Sequence, residues 1–368
     1  MREYFYTPRA TATGMGYFDD RPSVSTDFTY RGMDAAILEN EHLRVLVLPG
    51  KGGDILEFRD KRTDVDVLYH ADYQWDPPGD RVIPSTEMTW NEHYPGGWQL
   101  NLPVAGGPMS IPGNHYDHHG ESALIPWDAT VTRDDADAVT LELSTRLRRY
   151  PFAVTRELTL PADESSLVVA ESVTNEGEYE LEYAWQHHVA LGRPLIGPDA
   201  RLDVPAGESY IDDYPEGHET NRLAGDQHFE WPTAEAVDGE DVDLTAFPPT
   251  DSEIHDQAYL LGVDEGWYAV TNSELDVGFA LSYPAEHFES LWYWQAFGGM
   301  DESPFWGRNY TAGLEPTTAY PGHSYPEAQR ENGTMKTLEP GETVSVELTA
   351  STYGGRERVT GVENGVVE

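Results

Sequence analysis

The stretch NHYDHHGESALIPW, residues 114–127, sets His115, His118, His119 and Glu121 beside one another. Imidazole and carboxylate both move protons near neutral pH and ligate divalent ions, so the stretch admits a metal centre, an acid–base site or a loop of backbone-bonded histidines. The chain has no cysteine, so a metal would be held by His, Asp or Glu alone. A metal cage needs three or four donors within about 2.0–2.2 Å of one ion. His118 and His119 are neighbours and diverge in an extended chain, so a cage would recruit a donor from elsewhere, such as His93 or His187. The spacing therefore counts against a metal site and leaves the acid–base and backbone-bonded readings open.

Two further stretches carry groups of the same kind. In LEYAWQHHVALG, residues 181–192, a strand-like alternation ends in two adjacent histidines. Successive strand residues point to opposite faces, so only one of His187 and His188 can line a given pocket. Further on, ESLWYWQAFGG and YTAGLEPTTAYPG deliver Glu315 among Trp and Tyr, immediately before Pro316. A carboxylate desolvated among aromatics has a raised pKa, which suits a general base; the plainer reading is one surface Glu among many. Trp90, Trp98, Trp292 and Trp294 could offer flat apolar faces to a ligand.

The elements that must position these groups read as strands. Runs such as LRVLVLPG, AVTLELSTRL, FAVTRELTLP, SSLVVAESVTN and TVSVELTASTYG alternate with period two, and 26 Pro and 34 Gly punctuate them. No long segment keeps the 3.6-residue spacing of an amphipathic helix. The pattern predicts an all-β chain, a large antiparallel β-sandwich of two sheets packed face to face. Residues 1–34 read as an N-terminal extension packed on a single domain, 35–368. Two long interruptions stand out: 71–121, expected at the site, and the acidic 205–256, expected as a solvated excursion.

Sixty-six acidic against 23 basic residues give a formal charge of -43, yet aromatics make up 11% of the chain. Disordered acidic chains lack aromatics, so this is a folded protein with an acidic skin, as suits a high-salt, halophilic cytoplasm. Such a charge repels nucleic acid and anionic membranes, and neither is expected as a partner. The N-terminus lacks the apolar run of a signal peptide, so a cytoplasmic protein is expected.

Taken in order, these segments resemble the aldose 1-epimerase (galactose mutarotase-like) family. HHGESALIPW resembles its early His-Gly motif with a following Trp, WQHHVALG its strand ending in His, and GLEPTTAYP its late Glu-Pro segment; ENEHLRVLVLPGKGGDILEFRDKRTDVDVLYH resembles its opening hairpin. The resemblance spans roughly residues 37–350 and implies the family's supersandwich. It also implies that His188 is the acid that protonates the ring oxygen of a sugar and Glu315 the base that takes the anomeric proton. His119 would bind substrate, with His115, Trp98 and Trp294 lining the sugar, and no metal or other cofactor would be required. Many members carry an Arg shortly after the His-Gly motif, where this chain has Ala123. The expected activity is anomer interconversion of a small-molecule carbohydrate. Two alternatives stand beside it: a metal-dependent sugar isomerase built on His115, His118, His119 and Glu121, and a non-catalytic carbohydrate-binding protein on the same fold.

Overall fold

The alternating runs become strands of two large antiparallel sheets in the computed structural model, which describes residues 21–73, 75, 89–213, 219–322 and 326–368. Among the described residues the first sheet has 12 strands. From one edge it runs Ser23–Tyr30, Met33–Glu39, Leu43–Leu48, Asp54–Asp60 and Trp98–Asn101, then Gln186–Gly192, Tyr310–Thr317, Ser290–Phe297, Ile254–Leu260, Glu208–Ile211 and Gln227–Glu230. Val65–Asp66 pairs beside Asp54–Asp60. Among the same residues the second sheet has eight strands: Ala200–Asp203, Trp267–Asn272, Val277–Ser282, Thr343–Tyr353, Ser166–Asn175, Phe152–Pro161, Ala138–Arg146 and Asp128–Asp134. This is the expected all-β sandwich.

Period-two alternation sends one set of side chains from each sheet into the shared interior. Trp98, Leu100, Val189, Leu191, Leu314 and Tyr293 of the first sheet join Val154, Leu158, Val169 and Leu348 of the second in one buried apolar cluster. Each fully buried aliphatic or aromatic side chain of this kind contributes about 1.5–3 kcal/mol. The centre of the first sheet is covered on its other face as well. There Tyr69, Tyr73, Trp90, Tyr94 and Phe305 pack over Ala190 in a second cluster.

Two expectations about the ends and loops change. Of the expected N-terminal extension, residues 1–20 lie outside the described residues, and Ser23–Tyr30 is an edge strand of the first sheet. The acidic stretch 205–256 is more than a solvated excursion: it supplies two sheet strands and the hairpin Thr233–Glu235/Asp241–Asp243. Its spaced apolar residues Leu223, Phe229, Ala234, Leu244 and Phe247 are buried in the main cluster, which is what anchors it. Among the described residues no helix is long and apolar enough to cross a membrane.

Candidate active site

Strand register creates the central juxtaposition. Gln186 pairs with Thr317 and Ala190 with Gly313, so His188 lies opposite Glu315 on the neighbouring strand, and both side chains leave the sheet on the face away from the sandwich interior. His188 Nε2 is 3.3 Å from Glu315 Oε1. Both residues are nearly inaccessible, at 3% and 2% exposure. Gly313 makes the room: a Cβ there would overlap Glu315 Oε1.

Glu315 is held from its other side. Gln186 Nε2 donates to Glu315 Oε2 at 2.9 Å, and Asn101 Nδ2 donates to Gln186 Oε1 at 2.8 Å. All three residues are buried. Desolvation raises the Glu315 carboxyl well above the usual range, and it lowers His188 to about 3. Burial therefore favours an uncharged pair that holds one exchangeable proton.

His119 reaches the same place from the loop after the hairpin Met109–Ile111/Asn114–Tyr116. Its ring lies 5.2 Å from that of His188, centroid to centroid. The backbone there is left-handed at both His119 (φ 59) and Gly120 (φ 77), and a Cβ at Gly120 would strike the Leu102 carbonyl, which is why a Gly follows the histidine. The turn is clamped twice: His119 N donates to Gly106 O at 2.9 Å, and Gly106 N donates to His119 Nδ1 at 3.0 Å. Burial, reinforced by His118 and His188, holds His119 neutral. With Nδ1 accepting, its ring proton sits on Nε2.

Aromatic rings close around the three groups. Trp90, on the short helix Thr89–Glu92, stands 4.4 Å from the His119 ring and 5.0 Å from His188; Tyr94 and Trp294 lie 5.5 and 5.6 Å from His188. Phe305 backs Trp294 at 6.3 Å, and His118 stacks edge-on against His119 at 4.0 Å. Beside them Lys51 pairs with Asp54 and donates to the Ala123 carbonyl at 2.9 Å, so an ammonium group reaches the backbone of the position where the resemblance expects Arg.

The structure thus brings together His188, Glu315, His119, Trp294 and Trp90, and it separates others. Trp98 is not a platform for substrate. It pairs with Ile55 and Val189 on the interior face, fully buried, and its Nε1 donates to His187 Nδ1 at 3.2 Å. Trp292 shares the face of Glu315 but is spent on structure, donating to Ala319 O at 2.9 Å within a separate cluster. His115 sits exposed on its hairpin beside Ser110 Oγ at 3.0 Å, because the alternation that buries Tyr116 turns His115 outward. Glu121 accepts from Tyr116 Oη at 3.1 Å and from the Arg149 N–H at 3.0 Å. The set His115, His118, His119 and Glu121 therefore does not converge on one point, and among the described residues no group of three such side chains is placed to hold a metal ion.

Behind the site, His187 enters the sandwich interior. Its Nε2 is 3.3 Å from Glu171 Oε2 on the second sheet, and Arg156 Nε is 2.8 Å from Glu171 Oε1. Burial raises Glu171 to about 7, against the pull of Arg156. Sequence reasoning missed this network, together with Gln186, Asn101, Tyr94 and Gly313. Gln186 alone had a local signal, since it stands two residues before His188 and so on the same face.

The sandwich of these two large antiparallel sheets has the fold of galactose mutarotase-like proteins. The chain matches the family described as "Domain of unknown function (DUF4432)" over residues 30–352, and it belongs to that family. Its fold is similar to that of a protein from Klebsiella pneumoniae provisionally named aldose 1-epimerase, at 15% identity and TM-score 0.68, covering 90% of this chain and 83% of that one. It is also similar to a galactose mutarotase-like protein from Clostridium acetobutylicum (15%, TM-score 0.64, 91% and 99% covered) and another from Lactobacillus casei (16%, TM-score 0.59, 87% and 100% covered). At these identities the likeness is one of fold.

Proposed function

We propose that the protein is a carbohydrate-active isomerase that interconverts the anomers of an aldose by acid–base ring opening. The observation that carries this reading is the buried His188–Glu315 pair, with acid–base atoms 3.3 Å apart. The anomeric hydroxyl O1 and the ring oxygen O5 are bonded to one carbon, so two groups at this spacing can each reach one of them.

Ring opening takes the O1 proton to the base and delivers a proton from the acid to O5 as the C1–O5 bond breaks, leaving an aldehyde and a free hydroxyl. Rotation about C1–C2 presents the other face of the aldehyde. Closure then returns each proton by the reverse path, so the pair ends as it began. His188 as acid and Glu315 as base corresponds to the charge-separated form of the pair. The uncharged form that burial favours has the same proton count, with the roles exchanged. In this reading His119 Nε2–H holds a substrate oxygen, and Trp90 and Trp294 supply apolar walls for a pyranose C–H face.

The test is polarimetric mutarotation with the purified protein in molar KCl across common aldoses and their phosphates. Acceleration of anomer exchange for at least one neutral aldose is expected. Tight sugar binding without acceleration would instead assign the chain to non-catalytic carbohydrate recognition.

A further inference from the structure

The hydrogen bonds around Glu315 fix more than its position. A primary amide has one accepting oxygen and one donating nitrogen. Gln186 uses its oxygen to accept from Asn101 Nδ2 at 2.8 Å, which leaves its nitrogen to face Glu315 Oε2 at 2.9 Å. In this arrangement Glu315 Oε2 accepts from the Gln186 amide nitrogen. Oε1, by contrast, has no hydrogen-bond partner of its own and faces His188 Nε2 at 3.3 Å.

We propose that Gln186, anchored by Asn101, is a positioning residue that confines proton exchange at Glu315 to Oε1, the oxygen turned toward His188. Without it the carboxyl could rotate and carry its proton on either oxygen, and half of those arrangements would point away from the reacting atoms. With it, one oxygen is permanently occupied and the other is the only one that works. Gln186 is fully buried and its amide is spent on Asn101 and Glu315, so it acts through Glu315. The assignment of the sugar reaction rests on the preceding section; the direction of the amide does not.

The groups that bear on Glu315 come from several elements: His188 on the adjacent strand, His118 and His119 beyond it, Tyr94 from the covering segment and Tyr268 from the second sheet. None of these is altered by Gln186→Met, which keeps length and volume and removes the donor. Asn101→Ala leaves Gln186 in place and frees its amide to turn, and it serves as the second variant if Gln186→Met does not fold.

The measurement is infrared difference spectroscopy of the protonated carboxyl of Glu315, identified by subtracting Glu315→Gln, followed through a pH titration of the sugar-free protein. A carbonyl that accepts a hydrogen bond stretches at lower frequency. In Gln186→Met, and to a lesser degree in Asn101→Ala, the band should move to higher frequency and its loss should move up by about one to two pH units. Turnover should fall about 10- to 100-fold at little change in KM. A wild-type band and midpoint in the folded variants would overturn the proposal. A wild-type protein that anomerises no aldose would overturn the functional reading alone, because the carboxyl band is measured without sugar.

Discussion

His187 and His188 are consecutive residues whose Nε2 atoms each lie 3.3 Å from a buried glutamate, one on each side of the same sheet: Glu171 in the sandwich interior and Glu315 in the candidate site. One strand thus carries one imidazole in the sandwich interior and one in the candidate site, separated only by the pleat.

This separation predicts opposite phenotypes. His188→Asn should lower kcat by about 10²- to 10⁴-fold, the usual worth of a positioned proton-transfer group, and barely move the unfolding midpoint. His187→Asn should take the imidazole away from Glu171 Oε2 and from Trp98 Nε1 in the interior and cost about 1–3 kcal/mol in chemical denaturation, with a mild effect on kcat. The reverse ranking would assign the chemistry to the other face of the sheet.

Gly313 offers a test that leaves every ionisable group in place. A Cβ at this position would occupy the space of Glu315 Oε1. Gly313→Ala should therefore displace the carboxyl and cost on the order of 100-fold in kcat while the fold persists, as displacement of a reacting group by about 1 Å does. Circular dichroism and a single-sugar assay suffice; full activity would show that Glu315 has another working position.

The pH dependence follows from the two burial shifts. His188 is lowered to about 3, so it stays neutral as pH falls through the range where an ordinary imidazole gains its proton. Glu315 is raised, so it keeps its proton well above 4.5. The pair accordingly retains one proton across a wide window, gaining a second only near pH 3 and losing the first on the alkaline side of that window. A kcat profile level through pH 6.5 is expected. An acid limb centred at 6.5 would mean that His188 titrates as an exposed imidazole.

Salt should matter to stability. With a formal charge of -43, the folded chain repels itself in dilute buffer, and about 1 M salt shortens the reach of that repulsion to about 3 Å. The Tm should rise steadily from dilute to molar KCl at constant pH. A flat or falling curve would remove the high-salt adaptation from the account.

Much of this was legible in the sequence, and what was not has a common cause. Alternation alone gave two sheets and showed that His187 and His188 part company. It could not say which face of Trp98–Asn101 meets the interior, and a shift of one residue decides whether Trp98 or Gln99 faces the site. The same ambiguity explains His115, turned outward by the hairpin that buries Tyr116. Glu315 was visible as a carboxylate before Pro316 among aromatics, but its partner Gln186 is 129 positions away, and the Gly106 clamp on His119 spans 13. The Arg156–Glu171–His187 network joins two sheets whose relative placement no local pattern encodes.

The most direct test of the central claim is the anomer exchange rate of a neutral aldose, followed by NMR magnetisation exchange in molar KCl, with wild type and Glu315→Gln compared at equal concentration. The substitution keeps the shape of the side chain and removes proton transfer. The account predicts exchange accelerated by wild type and lowered by about 10²- to 10⁴-fold in the variant, with the variant still folded. Equal acceleration by both proteins would contradict it.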